Sequence, residues 1–288
     1  MKSTYLRPED IRALQRLVFT PRTVAEGRMA GRHRSVIAGA STDFRDYRPY
    51  TPGDDLRQVD WRVYARTDRH YLRTHNQETD TLCHIFMDCS ASMGFGAPQS
   101  KLAHASCFAA ALAYLVLRSN DAFSLHLFDE NPRYSLPPGS TTQHLHALLS
   151  ALEDNKPAGR TSVAAALQRG FPLLSRKGAL VVLSDFFDDP AAIFEALSPY
   201  LHRGFRVHLF HLLAPEDQEL PDRGLTTFRD LETGERLVAH ARALRDTYRA
   251  AMDAHVASLR ELAVRRRVNY VLTRTDQSIL PLFDELAE

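Results

Sequence analysis

The sequence is short of cysteine, of unbroken apolar runs and of any excess of charge, and each shortage closes off a class of protein. Three cysteines (Cys83, Cys89 and Cys107) in 288 residues are too few, and odd in number, for a disulfide framework. No pair of them has zinc-ligand spacing. No apolar stretch reaches the roughly 20 residues needed to span a bilayer; the longest, Cys107 to Leu117, stops at Arg118. The opening MKSTYLRPED is polar and lacks the apolar run of a secretory signal. The expected compartment is the cytoplasm. Lys and Arg total 36 against 35 Asp and Glu, a net charge of +1. The basic surplus that drives nucleic-acid binding through phosphate neutralisation is therefore missing. Arg22, Arg28, Arg32, Arg34 and Arg265–Arg267 form local basic clusters, which read as solvated charges, and arginine at a helix C-terminus also suits the macrodipole. A G-x-x-x-x-G-K-[ST] loop is absent, excluding P-loop nucleotide hydrolysis, and so is a G-x-S-x-G elbow.

What the chain does have is a 44% hydrophobic composition, enough for a large core and a smaller module. From Thr81 onward, strand-like and helix-like segments alternate. Strands are expected at Thr81–Met87, Ala122–Phe128, Ala179–Leu183, Arg206–Leu213 and Asn269–Thr273, with a short edge strand at Arg133–Leu136 before a Pro137–Gly139 turn. Helices are expected at Lys101–Arg118, Thr142–Leu152, Ser162–Leu174, Ala191–Leu201, Ala241–Arg266 and Ser278–Leu286. Thr226–Val238 reads as a hairpin turning at Glu232–Glu235. ALVVL at 179–183 is the cleanest buried strand, a wholly apolar run ending directly at Ser184 and Asp185. The alternation predicts an α/β fold: a mainly parallel, Rossmann-type sheet with helices on both faces. Residues 1–80, rich in Arg and Pro with short alternating patterns, read as a separate β-rich module before this 81–288 domain.

In such sheets ligands sit at the carboxyl ends of strands. Three loops lie there: Asp88-Cys89-Ser90-Ala91-Ser92, Gly159-Arg160-Thr161-Ser162, and Ser184-Asp185. Asp88, Ser90 and Ser92 alternate, so their side chains can converge. A carboxylate and hydroxyls are hard oxygen ligands suited to Mg²⁺ or Mn²⁺ and poor for zinc or copper. Thr161 adds a hydroxyl and Asp185 a second carboxylate through water, leaving at least one coordination position open for a partner's Asp or Glu. The plainer alternatives are helix capping by Asp88 or Asp185, loop-forming serines, and Thr161 as an N-cap. For the helix after Pro190, Asp188 and Asp189 are better placed as caps than Asp185.

Asp-x-Ser-x-Ser after an apolar strand, with a later Thr and a later Asp, resembles the metal-ion-dependent adhesion site of von Willebrand factor A domains. Upstream, FRDYRPYTPGDDLRQVDWRVYART at 44–67 is similar to the hallmark of a bacterial family catalogued as domain of unknown function 58. Its members carry a von Willebrand A-like region directly after that segment. The resemblance implies a non-catalytic interaction module with one divalent cation at Asp88, Ser90, Ser92, Thr161 and Asp185. It also implies an adaptor role beside an AAA+ ATPase of the MoxR group. Many relatives have a hydrophobic N-terminal anchor, which this sequence lacks, so a soluble, short member is expected. Two other readings stay open: a metal-free scaffold that contacts partners through the N-terminal module, and a metal-dependent phosphohydrolase. Asp54, Asp55, Arg57, Asp60, Arg62 and Arg66 around Trp61 read equally as a structural ion-pair network or a docking surface. His208 and His211, three apart in a strand, face opposite sides and cannot pair as ligands. Cys89 is the one loop residue of unusual chemistry.

Overall fold

The computed structural model describes residues 4–14, 44–49, 63–64, 71–75 and 82–287. The Trp61 charge cluster and the arginines at 22, 28, 32 and 34 lie outside the described residues. The chain divides into two compact units, Thr23–Asp80 and a larger one combining Met1–Arg22 with Thr81–Glu288. In the smaller unit, β1 (Phe44–Pro49) pairs antiparallel with β2 (Tyr71–His75).

The larger unit is built on six strands: β3 (Leu82–Asp88), β4 (Ala122–Phe128), β5 (Pro132–Gly139), β6 (Ala179–Ser184), β7 (Arg206–Leu213) and β10 (Asn269–Arg274). They lie in the order β10-β7-β6-β3-β4-β5. All neighbours are parallel except the β4–β5 edge, which is antiparallel. The chain runs outward from β3 to β4 and β5, then returns to lay β6 on the other side of β3. Strand order thus reverses between β3 and β6, and it is at the carboxyl ends of such a pair that open α/β sheets form their ligand crevice.

Side-chain alternation splits the core. Ile85 and Met87 of β3 and Val181 and Leu183 of β6 pack on one face under α2 (Lys101–Arg118) and α3 (Thr142–Asp154). Phe86, Leu180 and Val182 pack on the other, under α4 (Val163–Gly170), α5 (Pro190–His202) and the last turns of α7 (Ala241–Arg266). Because both faces are covered, every residue of β3 and β6 is buried, which is why the sequence reads as apolar runs rather than alternation. Gly178, just before β6, is obligatory: a Cβ there would sit 1.9 Å from the Leu82 carbonyl oxygen.

Helix α2 is rich in alanine because it is buried almost all round, at Ala105, Ala109, Ala110, Ala111 and Ala113. Among the described residues it alone is long and apolar enough to cross a membrane, and most of it is buried inside the protein. Helix α1 (Pro8–Leu14) packs beside it, with Leu6 and Leu14 in the same core. Arg118 donates to the Leu14 carbonyl at 3.0 Å. Residues 4–14, which the sequence reading groups with the β-rich module, pack within the α/β unit.

Other departures are local. Strand β5 continues through Pro137, Pro138 and Gly139, which were expected to turn; as an edge strand, it can hold prolines without a missing donor breaking the sheet. Helix α4 starts at Val163 and ends at Gly170, because Pro172 redirects the chain into a 3₁₀ turn. The expected final helix is split into a 3₁₀ turn at Leu280–Phe283 and a short α8 at Asp284–Ala287. A one-turn α6 (Pro215–Gln218) follows β7 and went unpredicted. The hairpin is present as β8 (Leu225–Arg229) and β9 (Arg236–His240).

Candidate functional site at the strand ends

Asp88 closes β3 and Asp185 follows β6, so the switch point places two fully buried carboxylates side by side. Asp88 is held on both oxygens: Oδ1 accepts the Ser90 amide at 2.9 Å and Oδ2 accepts the Ser184 hydroxyl at 2.7 Å. Ser90 Oγ lies 3.0 Å from Ser92 Oγ. Asp88, Ser90 and Ser92 are thus joined in a continuous polar arc. The first two loops are stitched together by their backbones, Ala158 N–H to the Cys89 carbonyl at 3.0 Å and Ala91 N–H to the Gly159 carbonyl at 3.1 Å.

Thr161 and Asp185 are differently engaged. The Thr161 hydroxyl donates to Glu232 Oε1 at 2.8 Å and its amide to Glu232 Oε2 at 3.2 Å. Ser162, not Thr161, caps α4, accepting the Ala165 amide. Asp185 Oδ2 accepts the Lys101 ammonium at 2.7 Å, and the same ammonium lies 3.1 Å from Asp217 Oδ2. Asp185 leaves the capping of α5 to Asp189, whose carboxylate accepts the amides of Ala191 and Ala192.

Three of these participants escape a reading of the sequence. Asp217 is fixed by its own turn, accepting the Ala214 amide at 2.8 Å. Glu232 looks like a turn residue. Lys101 does leave a signal: a lysine in the first turn of a helix opposes the macrodipole, so it needs carboxylates nearby. Both aromatic rings over the ammonium, Phe95 and Phe187, add cation–π contact at 5.9 and 5.1 Å.

The electrostatics of the crevice are unbalanced. Asp88, Asp185 and Asp217 are buried against one buried cation, Lys101. Burial alone would pull the Lys101 ammonium down, but Asp185 and Asp217 more than offset it and hold it up. Burial, then the Asp185 charge, pushes Asp88 up, against the hydrogen bonds from Ser184 and Ser90 that favour its ionised form. Asp185 Oδ1 is buried with no hydrogen-bond partner, a costly state for a carboxylate oxygen. A divalent cation fits this donor set. With all three ionised, the carboxylates would exceed Lys101 by two negative charges, which a divalent ion would balance. Among the described residues no group of three His, Cys, Asp or Glu side chains is arranged as a metal cluster, so a ligand shell here must draw on the serine and threonine hydroxyls.

The loop after β6 is strained where it matters: Phe186 adopts φ 48°, a left-handed conformation unfavourable for a bulky residue. It is held by Ser184 Oγ accepting its amide at 3.0 Å and by the Asp188 amide and the His255 ring donating to its carbonyl. Cys89 is buried beneath the first loop. Burial pushes its thiol up to about 12, outweighing the Asn155 side-chain contact at 2.9 Å, which favours the thiol over the more reactive thiolate.

A mainly parallel sheet clad with helices on both faces is an α/β fold of the von Willebrand factor A-like kind. A solved structure agrees on the fold. The conserved hypothetical protein BatB from Bacteroides thetaiotaomicron superposes with a TM-score of 0.51 at 19% identity, over 72% of this chain and 97% of that one. The SpRpn10 VWA domain gives 0.43 at 12% identity, over 71% and 93%. More specifically, residues 46–258 match the model of a family described as protein of unknown function DUF58. The uncharacterized protein Rv1480 of Mycobacterium tuberculosis is 30% identical over 257 residues, covering 88% of this chain and 80% of the relative. The chain belongs to the DUF58 family.

Proposed function

We propose that this protein is a non-catalytic interaction module in which the strand-end loops hold one Mg²⁺ or Mn²⁺ ion. Asp88, Ser90, Ser92 and Thr161 would hold the ion directly and Asp185 through water. A hard divalent cation would supply an open coordination position, which a partner's carboxylate fills. One observation carries this reading: the buried crevice holds three carboxylates, one ammonium and an unpartnered Asp185 Oδ1. Catalysis is not favoured. Ser90 and Ser92 hydrogen-bond each other, and neither hydroxyl is bonded to a histidine among the described residues.

The partner we propose, a MoxR-type AAA+ ATPase, rests on family resemblance, and the setting we propose for it is the cytoplasm. Co-precipitating purified full-length protein with such an ATPase tests it: binding in Mg²⁺ that is lost in EDTA supports the reading. A second reading is favoured by a specific observation, since Thr161 and Asp185 already have Glu232 and Lys101 as partners. On that reading the module works without metal and Lys101 supplies the neutralising charge. Equal co-precipitation in Mg²⁺ and EDTA, unaltered by Asp88→Ala, would select it.

A further inference from the structure

The β8–β9 hairpin reaches from its own small sheet to the crevice, and it does so with a carboxylate. Its turn is built to present that group. Asp230 Oδ1 accepts the amides of Glu232 and Thr233 at 2.7 and 2.9 Å, and Gly234 takes φ 76° to close the loop. The amide bonds, with the Arg160 charge beside them, hold the Asp230 carboxyl below the usual range. Glu232 then grips Thr161 with both oxygens, one on the hydroxyl and one on the amide. Elsewhere the hairpin is lightly attached: Leu225, Leu237 and Val238 are 71%, 64% and 57% exposed. A segment that buries so little apolar surface opens at small cost.

We infer that Glu232 is this chain's own stand-in for the partner's carboxylate. Its carboxylate holds the hydroxyl and amide of Thr161, one of the proposed ligands, and a docking acidic side chain must displace it, releasing the hairpin. The inference deepens the cation-dependent reading above and rests on it. Its consequence is an interaction surface in two parts: the crevice, which accepts an Asp or Glu, and the hairpin, which moves when it does.

The test uses the full chain, Mn²⁺ and acetate as the carboxylate probe. Acetate entering the shell of protein-held Mn²⁺ relaxes its methyl protons. At equal bound Mn²⁺, Glu232→Gln and Glu232→Ala are expected to raise that relaxation several-fold over wild type, because the position is vacated. Amide exchange across Leu225–His240 should quicken about tenfold in both variants, even in EDTA. Equal acetate relaxation in wild type and variants would overturn the proposal while leaving cation binding intact. Unchanged hairpin exchange would overturn it whether or not Mn²⁺ binds. If no chain takes up Mn²⁺, the cation reading fails, and the partner-carboxylate inference fails with it.

Discussion

Lys101 is the residue on which the crevice turns. It is buried, ion-paired to Asp185 at 2.7 Å and to Asp217 at 3.1 Å, and it lies at the unfavourable end of a helix dipole. Removing one partner of such a set leaves buried charge uncompensated, which costs about 3–5 kcal/mol. Lys101→Met should therefore lower stability in EDTA by about that much, read by urea unfolding. Adding Asp185→Asn should recover part of the loss, since the orphaned charge goes with it. A Lys101→Met protein as stable as wild type would mean that the crevice carboxylates are neutral without it. Asp88, Ser90, Ser92, Thr161 and Asp185 could be picked from the sequence because each lies in or beside a loop at the end of an apolar strand or the start of a helix. Asp217 and Glu232 could not, since a carboxylate in a turn looks the same whether it faces solvent or a buried ammonium.

At the scale of elements, the strands were legible to within a residue or two because a buried parallel strand is an unbroken apolar run. Ends governed by neighbours were not. Pro137 and Pro138 stay in β5 only because it is an edge strand, and helix α1 is recruited by the apolar flank of α2, which no local pattern announces. The tightest element constraint is Gly178. A Cβ there meets the Leu82 oxygen at 1.9 Å and its carbon at 2.8 Å, backbone atoms that cannot yield without shifting β3 from β6. Gly178→Ala should cost more than about 2 kcal/mol, among the larger single-residue effects. Alanine at Gly234 has nothing within 4 Å and meets only the positive φ of 76°, so its loss should be smaller. Thermal melts of the two variants give the comparison; equal losses would refute the backbone clash.

For the whole molecule, acid should be destabilising. Five buried histidines have depressed basicity, burial being the first cause in each. His126 and His208 fall to about 4. Their unfolded forms take a proton near 6.5, so their stabilising contribution is complete above that pH and is lost as pH falls toward 4. At pH 5 each of those two costs on the order of 2 kcal/mol. Asp88 and Asp217, both raised, work in the opposite direction, and they are outnumbered. The melting temperature in EDTA should drop clearly between pH 7 and pH 5; a flat profile would mean that those rings are already accessible to protons.

We propose that the junction of β3 and β6 is completed by a doubly charged ion. Calorimetric titration of Mg²⁺ and of Mn²⁺ into the wild-type chain and into Asp88→Ala addresses it most directly. Saturable binding of one equivalent by the wild type and none by the variant is the expected result. Heats of dilution alone from the wild type, or the same isotherm from both proteins, would contradict it.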